Sequence, residues 1–173
     1  MKLIKRSEWG ARPPLGRPLI DPKALRGLAI HYSASDADEQ RDHARCGARV
    51  QGIQRYHMDE NGWVDLAYNW VTCLHGYVFE GRGGAVRSAA NGTKQANDRY
   101  LAVCFLGNDT PARDDVTHEG RHALTEVIAE FRRRYPRARE LRPHSHFFAT
   151  LCPGDELRAF IRTQLAKDRK EQP

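Results

Sequence analysis

The chain reads as a single α/β domain, and three observations carry that reading. Its 173 residues are enough for one domain with a core of ordinary size and too few for two. Its composition, 40% hydrophobic and 29% charged, is that of a soluble globular protein. Along the chain, short apolar runs of strand length alternate with longer stretches whose apolar positions recur at helical spacing.

Residues 1–24 are expected to form an extended N-terminal wrap, because the part from 11 to 22 is rich in proline and suits a path over the surface. Residues 25–32 read as a buried strand that ends its apolar run Leu28-Ala29-Ile30 on His31. Residues 39–58 read as a helix with Val50, Ile53 and His57 at i, i+3 and i+7, closed by the Asn61-Gly62 turn signal. Residues 66–74 and 77–80, separated by His75-Gly76, suggest a hairpin. The stretch 81–98 holds glycines, asparagines and few large apolar side chains, so a long irregular loop able to line a site is expected.

Residues 100–106 resume as a buried strand. From 117 to 135, Leu124, Val127, Ile128, Phe131 and Tyr135 form a helical stripe. The run Arg132-Arg133-Arg134 falls at that helix's C-terminus, where cations oppose the negative end of the dipole, and reads as a solvated helix end. Residues 155–167, with Leu157, Phe160, Ile161 and Leu165 on one face, form the last helix, and 168–173 a frayed polar tail.

Lysines and arginines outnumber acidic residues 28 to 22, a formal charge of +6 that attracts polyanions. The basic residues are dispersed and no nucleic-acid motif accompanies them, so an anionic cell wall fits better than nucleic acid. Residues 1–6 contain only Leu3-Ile4 as an apolar core, without a cleavage site, so no export signal is expected; no apolar run reaches membrane-spanning length. The four scattered cysteines are then expected to be reduced. Cys73 and Cys104 read as small buried hydrophobes and Cys46 as a helix residue, which leaves Cys152 as the one cysteine in chemically active company. A monomer is expected.

That company lies in residues 141–154, L-R-P-H-S-H-F-F-A-T-L-C-P-G, which gather His144, His146, Thr150 and Cys152. Imidazole and thiolate are the donors a borderline-soft ion such as Zn²⁺ selects, and a catalytic zinc needs three protein ligands with one position open. His144 and Cys152 supply two, and His31, at a rigid strand end, is the best third donor. The spacing matches neither H-E-x-x-H nor paired C-x-x-C, so local pattern alone leaves open whether these residues are ligands or hydrogen-bonded core residues.

Six blocks in order extend the pattern over nearly the whole chain. They are Ser7-Glu8-Trp9-Gly10-Ala11-Arg12-Pro13-Pro14, Ile30-His31-Tyr32-Ser33, Gly62-Trp63-Val64-Asp65-Leu66-Ala67-Tyr68-Asn69, Gly76-Tyr77-Val78-Phe79-Glu80-Gly81-Arg82, Phe105-Leu106-Gly107-Asn108, and His144 through Thr150 to Cys152-Pro153-Gly154. In these the chain resembles the type 2 N-acetylmuramoyl-L-alanine amidases and peptidoglycan-recognition proteins, a family that includes phage lysozyme-type amidases. The resemblance implies a mixed central sheet flanked by helices, a zinc ion on His31, His144 and Cys152, and hydrolysis of the amide between N-acetylmuramic acid and L-alanine in peptidoglycan.

It also implies a catalytic donor at Tyr68, in the Gly-Trp-x-Asp-x-x-Tyr block, and an accessory hydroxyl at Thr150, where phage relatives carry lysine or threonine. Ser145 and His146 stand where many relatives have Arg-Asp, and Asn69 replaces a frequent histidine. His43, His57, His75, His118 and His122 match nothing in the family pattern and read as structural or surface residues. The expected setting is a phage endolysin made in the host cytoplasm and acting on the wall after release. Two alternatives remain: a peptidoglycan-binding module without catalysis, although members that only recognise the wall commonly lose the cysteine kept here as Cys152, and a Cys-His hydrolase with Cys152 attacking.

Overall fold

In a computed structural model, which describes residues 1–35, 41–110, 113–114 and 116–170, the elements follow the order β1 (Lys2–Ile4), β2 (Gly27–Tyr32), α1 (Ala44–Arg55), β3 (Trp70–Cys73), β4 (Tyr77–Glu80), α2 (Lys94–Arg99), β5 (Tyr100–Leu106), β6 (Asp109–Thr110), β7 (Arg113–Asp114), α3 (His118–Arg134), β8 (Glu140–Pro143) and α4 (Asp155–Lys170). Six strands make one mixed sheet in the order β1-β4-β3-β5-β2-β8, and β6 and β7 pair separately. Within the large sheet only β3 and β4 run antiparallel, as the hairpin predicted around His75-Gly76.

Strand alternation divides the side chains between two layers. Leu28 and Ile30 of β2 and Leu101, Val103 and Phe105 of β5 face a core closed by α3 and α4, through Leu124, Val127, Ile128, Phe131, Leu157 and Phe160. Val71, Cys73, Cys104 and Leu106 face the other side, where Cys46 and Val50 of α1 pack together with Trp9. His31, one residue beyond Ile30, therefore falls on the α1 side, in register with Cys104 of β5. Trp9, from the first sequence block, is held there by its indole N–H, which donates to the Glu80 carbonyl at 2.9 Å.

Several boundaries differ from those expected. The N-terminal wrap contains β1, which adds to β4 in parallel; three residues are too short to display alternation. The helix expected over 39–58 is α1 at 44–55 and continues as a π turn over Tyr56–Glu60; its expected first residues, 39 and 40, lie outside the described residues. The strand expected from 66 starts at Trp70, which leaves Tyr68 outside the strand. The loop expected over 81–98 contains most of α2, capped by Thr93, whose hydroxyl accepts from the Ala96 N–H at 3.1 Å.

β8 was not anticipated; among the described residues it pairs with β2 alone, and it ends one residue before His144. Gly27 permits this pairing, since a Cβ there would lie 2.0 Å from the Glu140 carbonyl oxygen. The tail expected to fray at 168 stays helical to Lys170, with Arg132 and Asp168 joining α3 to α4, and 171–173 lie outside the described residues. No helix among the described residues is long and apolar enough to cross a membrane.

Candidate active site

β2 and β8 run parallel, so their C-terminal ends open on one edge of the sheet, and that edge delivers His31 and His144 side by side. Their ring centroids are 4.4 Å apart. The turn before α4 brings Cys152 back to the same point, its sulfur 3.9 Å from His31 Nδ1. One donor atom from each of His31, His144 and Cys152 lies within 4.8 Å of the other two.

The surroundings prepare these atoms for a cation. His31 is fully buried, and its Nε2 sits 2.9 Å from Asn91 Oδ1. Asn91 spends its amide N–H groups on Ser88 Oγ and the Tyr100 carbonyl, at 3.0 and 2.9 Å, which presents its oxygen to the ring. His31 Nε2 is thus the protonated nitrogen, and the Nδ1 lone pair points towards Cys152, the arrangement that orients histidine ligands in metal proteins. His144 Nε2 is buried and, among the described residues, has no hydrogen-bond partner, a cost a cation would remove. The Tyr32 N–H donates to the Cys152 sulfur at 3.3 Å, which favours a thiolate.

Without a cation the same groups would be neutral. Burial, reinforced by His144, lowers His31 to about 3 against the opposing Asn91 hydrogen bond, and burial lowers His144 as well. Burial pushes the Cys152 thiol up to about 12, with the Tyr32 N–H and Arg158 pulling it down. A metal-free thiolate–imidazolium pair, which a Cys-His hydrolase needs, is therefore disfavoured at both partners. The donor set, the tautomer held by Asn91 and the unpartnered nitrogen of His144 fit a zinc ion.

Tyr68 stands against this group, its ring centroid 5.5 Å from that of His31. The chain around it is held by Asn69, whose side chain is fully buried. Asn69 donates to the carbonyls of Gly83 and Val86, both at 2.7 Å, and accepts from the Ala102 N–H of β5 at 2.8 Å. The family's frequent histidine is thus replaced by a clasp, a role that only the contacts reveal. Gly81 lets this strand end approach closely, since a Cβ there would sit 2.3 Å from the Tyr68 carbonyl oxygen. Burial first, then the neighbouring Cys104 and Cys152, raises the Tyr68 phenol well above its usual value, so it keeps its proton.

Thr150 accepts the Cys152 N–H at 3.2 Å. His146 is exposed and packs edge-on against Phe147, at 4.9 Å between centroids. His57 is buried between Trp63 and Tyr68 and accepts the Ala67 N–H on Nδ1 at 3.0 Å, while His118 and His122 are exposed. Two of the remaining histidines and two of the cysteines require a correction. His43, Cys46, Cys73 and His75 gather into a second group, so Cys152 is not alone in having such neighbours. Their pairs, His-x-x-Cys and Cys-x-His, match no standard metal spacing and lie 27 residues apart in sequence from Cys46 to Cys73, which hid the group.

Sheet order and helix placement define the class: a mixed six-stranded sheet flanked by helices, as in the peptidoglycan-recognition proteins. A solved complex of tracheal cytotoxin with the ectodomains of recognition proteins LCa and LCx superposes with a TM-score of 0.82 and 28% identity over 94% of this chain and 95% of that one. The chain belongs to the N-acetylmuramoyl-L-alanine amidase family, whose model matches residues 21–155. It is 36% identical to the N-acetylmuramoyl-L-alanine amidase of Homo sapiens over 164 residues, covering 91% of this chain and 27% of that protein. It is 30% identical to peptidoglycan-recognition protein SC2 of Drosophila melanogaster, covering 93% of this chain and 85% of that protein. The chain thus spans about a quarter of the mammalian amidase and most of the insect recognition protein.

Proposed function

We propose that the protein is a zinc-dependent N-acetylmuramoyl-L-alanine amidase, with His31, His144 and Cys152 as the metal ligands and Tyr68 as the transition-state donor. The observation that carries this is the convergence of the three donors beside Tyr68, with the His144 Nε2 buried and without a hydrogen-bond partner among the described residues. When bound, the ion supplies Lewis acidity and makes water a nucleophile near neutral pH.

The chain's own groups do the rest. Asn91 holds the His31 ring in its donor tautomer, and the Tyr32 N–H steadies the Cys152 sulfur. Attack on the lactyl–alanine amide places negative charge on the carbonyl oxygen. The Tyr68 hydroxyl, protonated at neutral pH, donates to that oxygen, a contribution of about 3–4 kcal/mol for a well-placed donor. Phe148 and Leu151, both largely exposed, offer apolar surface beside His144 for the glycan or peptide stem. Substrate identity draws on the solved neighbours: tracheal cytotoxin, bound in the LCa–LCx complex, is a monomeric diaminopimelic acid-type peptidoglycan. The finer reading, a phage-type endolysin that reaches the wall after release, draws on the compact, basic character of a chain whose family includes phage amidases.

The test is to follow new alanine α-amino groups from purified peptidoglycan with zinc-loaded protein, with chelated protein, and with the Cys152→Ser variant. Release only in the zinc-loaded wild type is expected. Tight muropeptide binding with no release would make the protein a recognition module, and release that survives chelation would move the chemistry to Cys152 itself.

A further inference from the structure

The second group lies on the α1 side of the sheet, at the end of the β3–β4 hairpin. His43 precedes α1 and Cys46 sits in its first turn, an i, i+3 pair that shares one helix face. Cys73 ends β3 and His75 lies in the turn to β4. Both cysteines are fully buried and free, and both histidines are half-buried. One donor atom from each of the four lies within 4.8 Å of the other three. The pairs cross between elements, with Cys46 Sγ 3.5 Å from His75 Nδ1 and Cys73 Sγ 3.9 Å from His43 Nδ1. In a tetrahedral zinc site, Zn–N of ~2.0 Å and Zn–S of ~2.3 Å place neighbouring donors roughly 3.3–3.8 Å apart.

The tautomer is also arranged. His75 Nε2 lies 3.0 Å from the Arg41 carbonyl, an acceptor only, so that nitrogen carries the proton and Nδ1 turns its lone pair towards Cys46. The His43 ring is stacked on Tyr77, 3.8 Å between centroids and 19° between planes, which fixes its direction. We infer that His43, Cys46, Cys73 and His75 form a second, structural zinc site, separate from the three-ligand centre. Four protein ligands leave no open position, so this ion does no chemistry; it pins the start of α1 to the β3–β4 hairpin. A two-sulfur, two-nitrogen tetrahedral set selects zinc over the harder cations.

Zinc content is measured on protein purified anaerobically and dialysed against metal-free buffer. The wild type should hold two equivalents per chain and Cys46→Ser/Cys73→Ser one, with that variant still retaining the ion of the His31–His144–Cys152 centre. If the double variant does not fold, Cys152→Ser decides, because the other clustered cysteine is then gone. Added Co²⁺ should give that variant thiolate-to-cobalt charge-transfer absorption and shield two thiols from a thiol reagent. Co²⁺ without charge transfer in Cys152→Ser, or a Cys46–Cys73 disulfide in the anaerobically isolated protein, would overturn the inference. Loss of amidase activity bears only on the first centre, so the two readings fail separately.

Discussion

Tyr68 and Thr150 both place a hydroxyl near the His31–His144–Cys152 group, and their partners separate their roles. Tyr68 stands 5.5 Å from His31 between ring centroids with its proton retained, while Thr150 spends its oxygen on the Cys152 N–H. A donor that acts on the transition state should show in kcat. Tyr68→Phe removes one hydroxyl and keeps the ring, so kcat should fall by about 10² or more with KM little changed, measured on a soluble muropeptide. A variant with ordinary kcat would return Tyr68 to a packing role. Thr150→Ala should cost less than Tyr68→Phe, because it loosens the turn that presents Cys152 and removes no donor to substrate.

The helix α1 and its π turn carry a different consequence, through His57. Burial, then the charge on Arg82, lowers this imidazole to about 4. The folded protein therefore holds His57 neutral where the unfolded chain, with an ordinary histidine near 6.5, takes up a proton. Below about pH 6.5 the unfolded state binds more protons than the folded one, so stability declines as pH falls and levels off below about 4, by roughly 3 kcal/mol in total. His57→Gln keeps an acceptor for the Ala67 N–H and cannot titrate. Denaturant unfolding of chelated protein from pH 7 to 4.5 should show a steeper loss in the wild type than in this variant. Equal slopes would mean that another group governs the acid limb.

Across the molecule, the +6 charge is a long-range property, while the candidate site works through short contacts. If the charge serves attachment to an anionic wall, lysis of intact cells should weaken as salt rises past about 0.15 M, where the Debye length is near 8 Å. Hydrolysis of a small soluble muropeptide should barely respond. The two substrates are run through one salt series beside a duplex-binding titration. Sub-micromolar duplex affinity at physiological salt, with lysis indifferent to salt, would assign the charge to nucleic acid instead. In the structure two of the three consecutive arginines are already paired, Arg132 with Asp168 of α4 and Arg133 with Glu130 one turn back, as suits a helix end.

Much of this architecture was legible in the linear chain, because periodicity and capping are local. The stripe Leu124, Val127, Ile128, Phe131 locates α3, and the apolar run 100–106 is β5 to the residue. The order of the six blocks indicated the family and, through it, His31, His144 and Cys152. Short or edge elements escaped, as β1 and β8 did, since three or four residues carry too little pattern and their pairing partners are remote in sequence. Folding alone established which donors meet: His31 and Cys152 touch across 121 positions, and Cys73 reaches His43 across 30. Such convergence depends on strand order and helix placement, which set distances between side chains that no local spacing encodes. For that reason the meeting of His31, His144 and Cys152 could be anticipated by resemblance, while the four-residue group at the β3–β4 hairpin came into view only when the sheet brought it together.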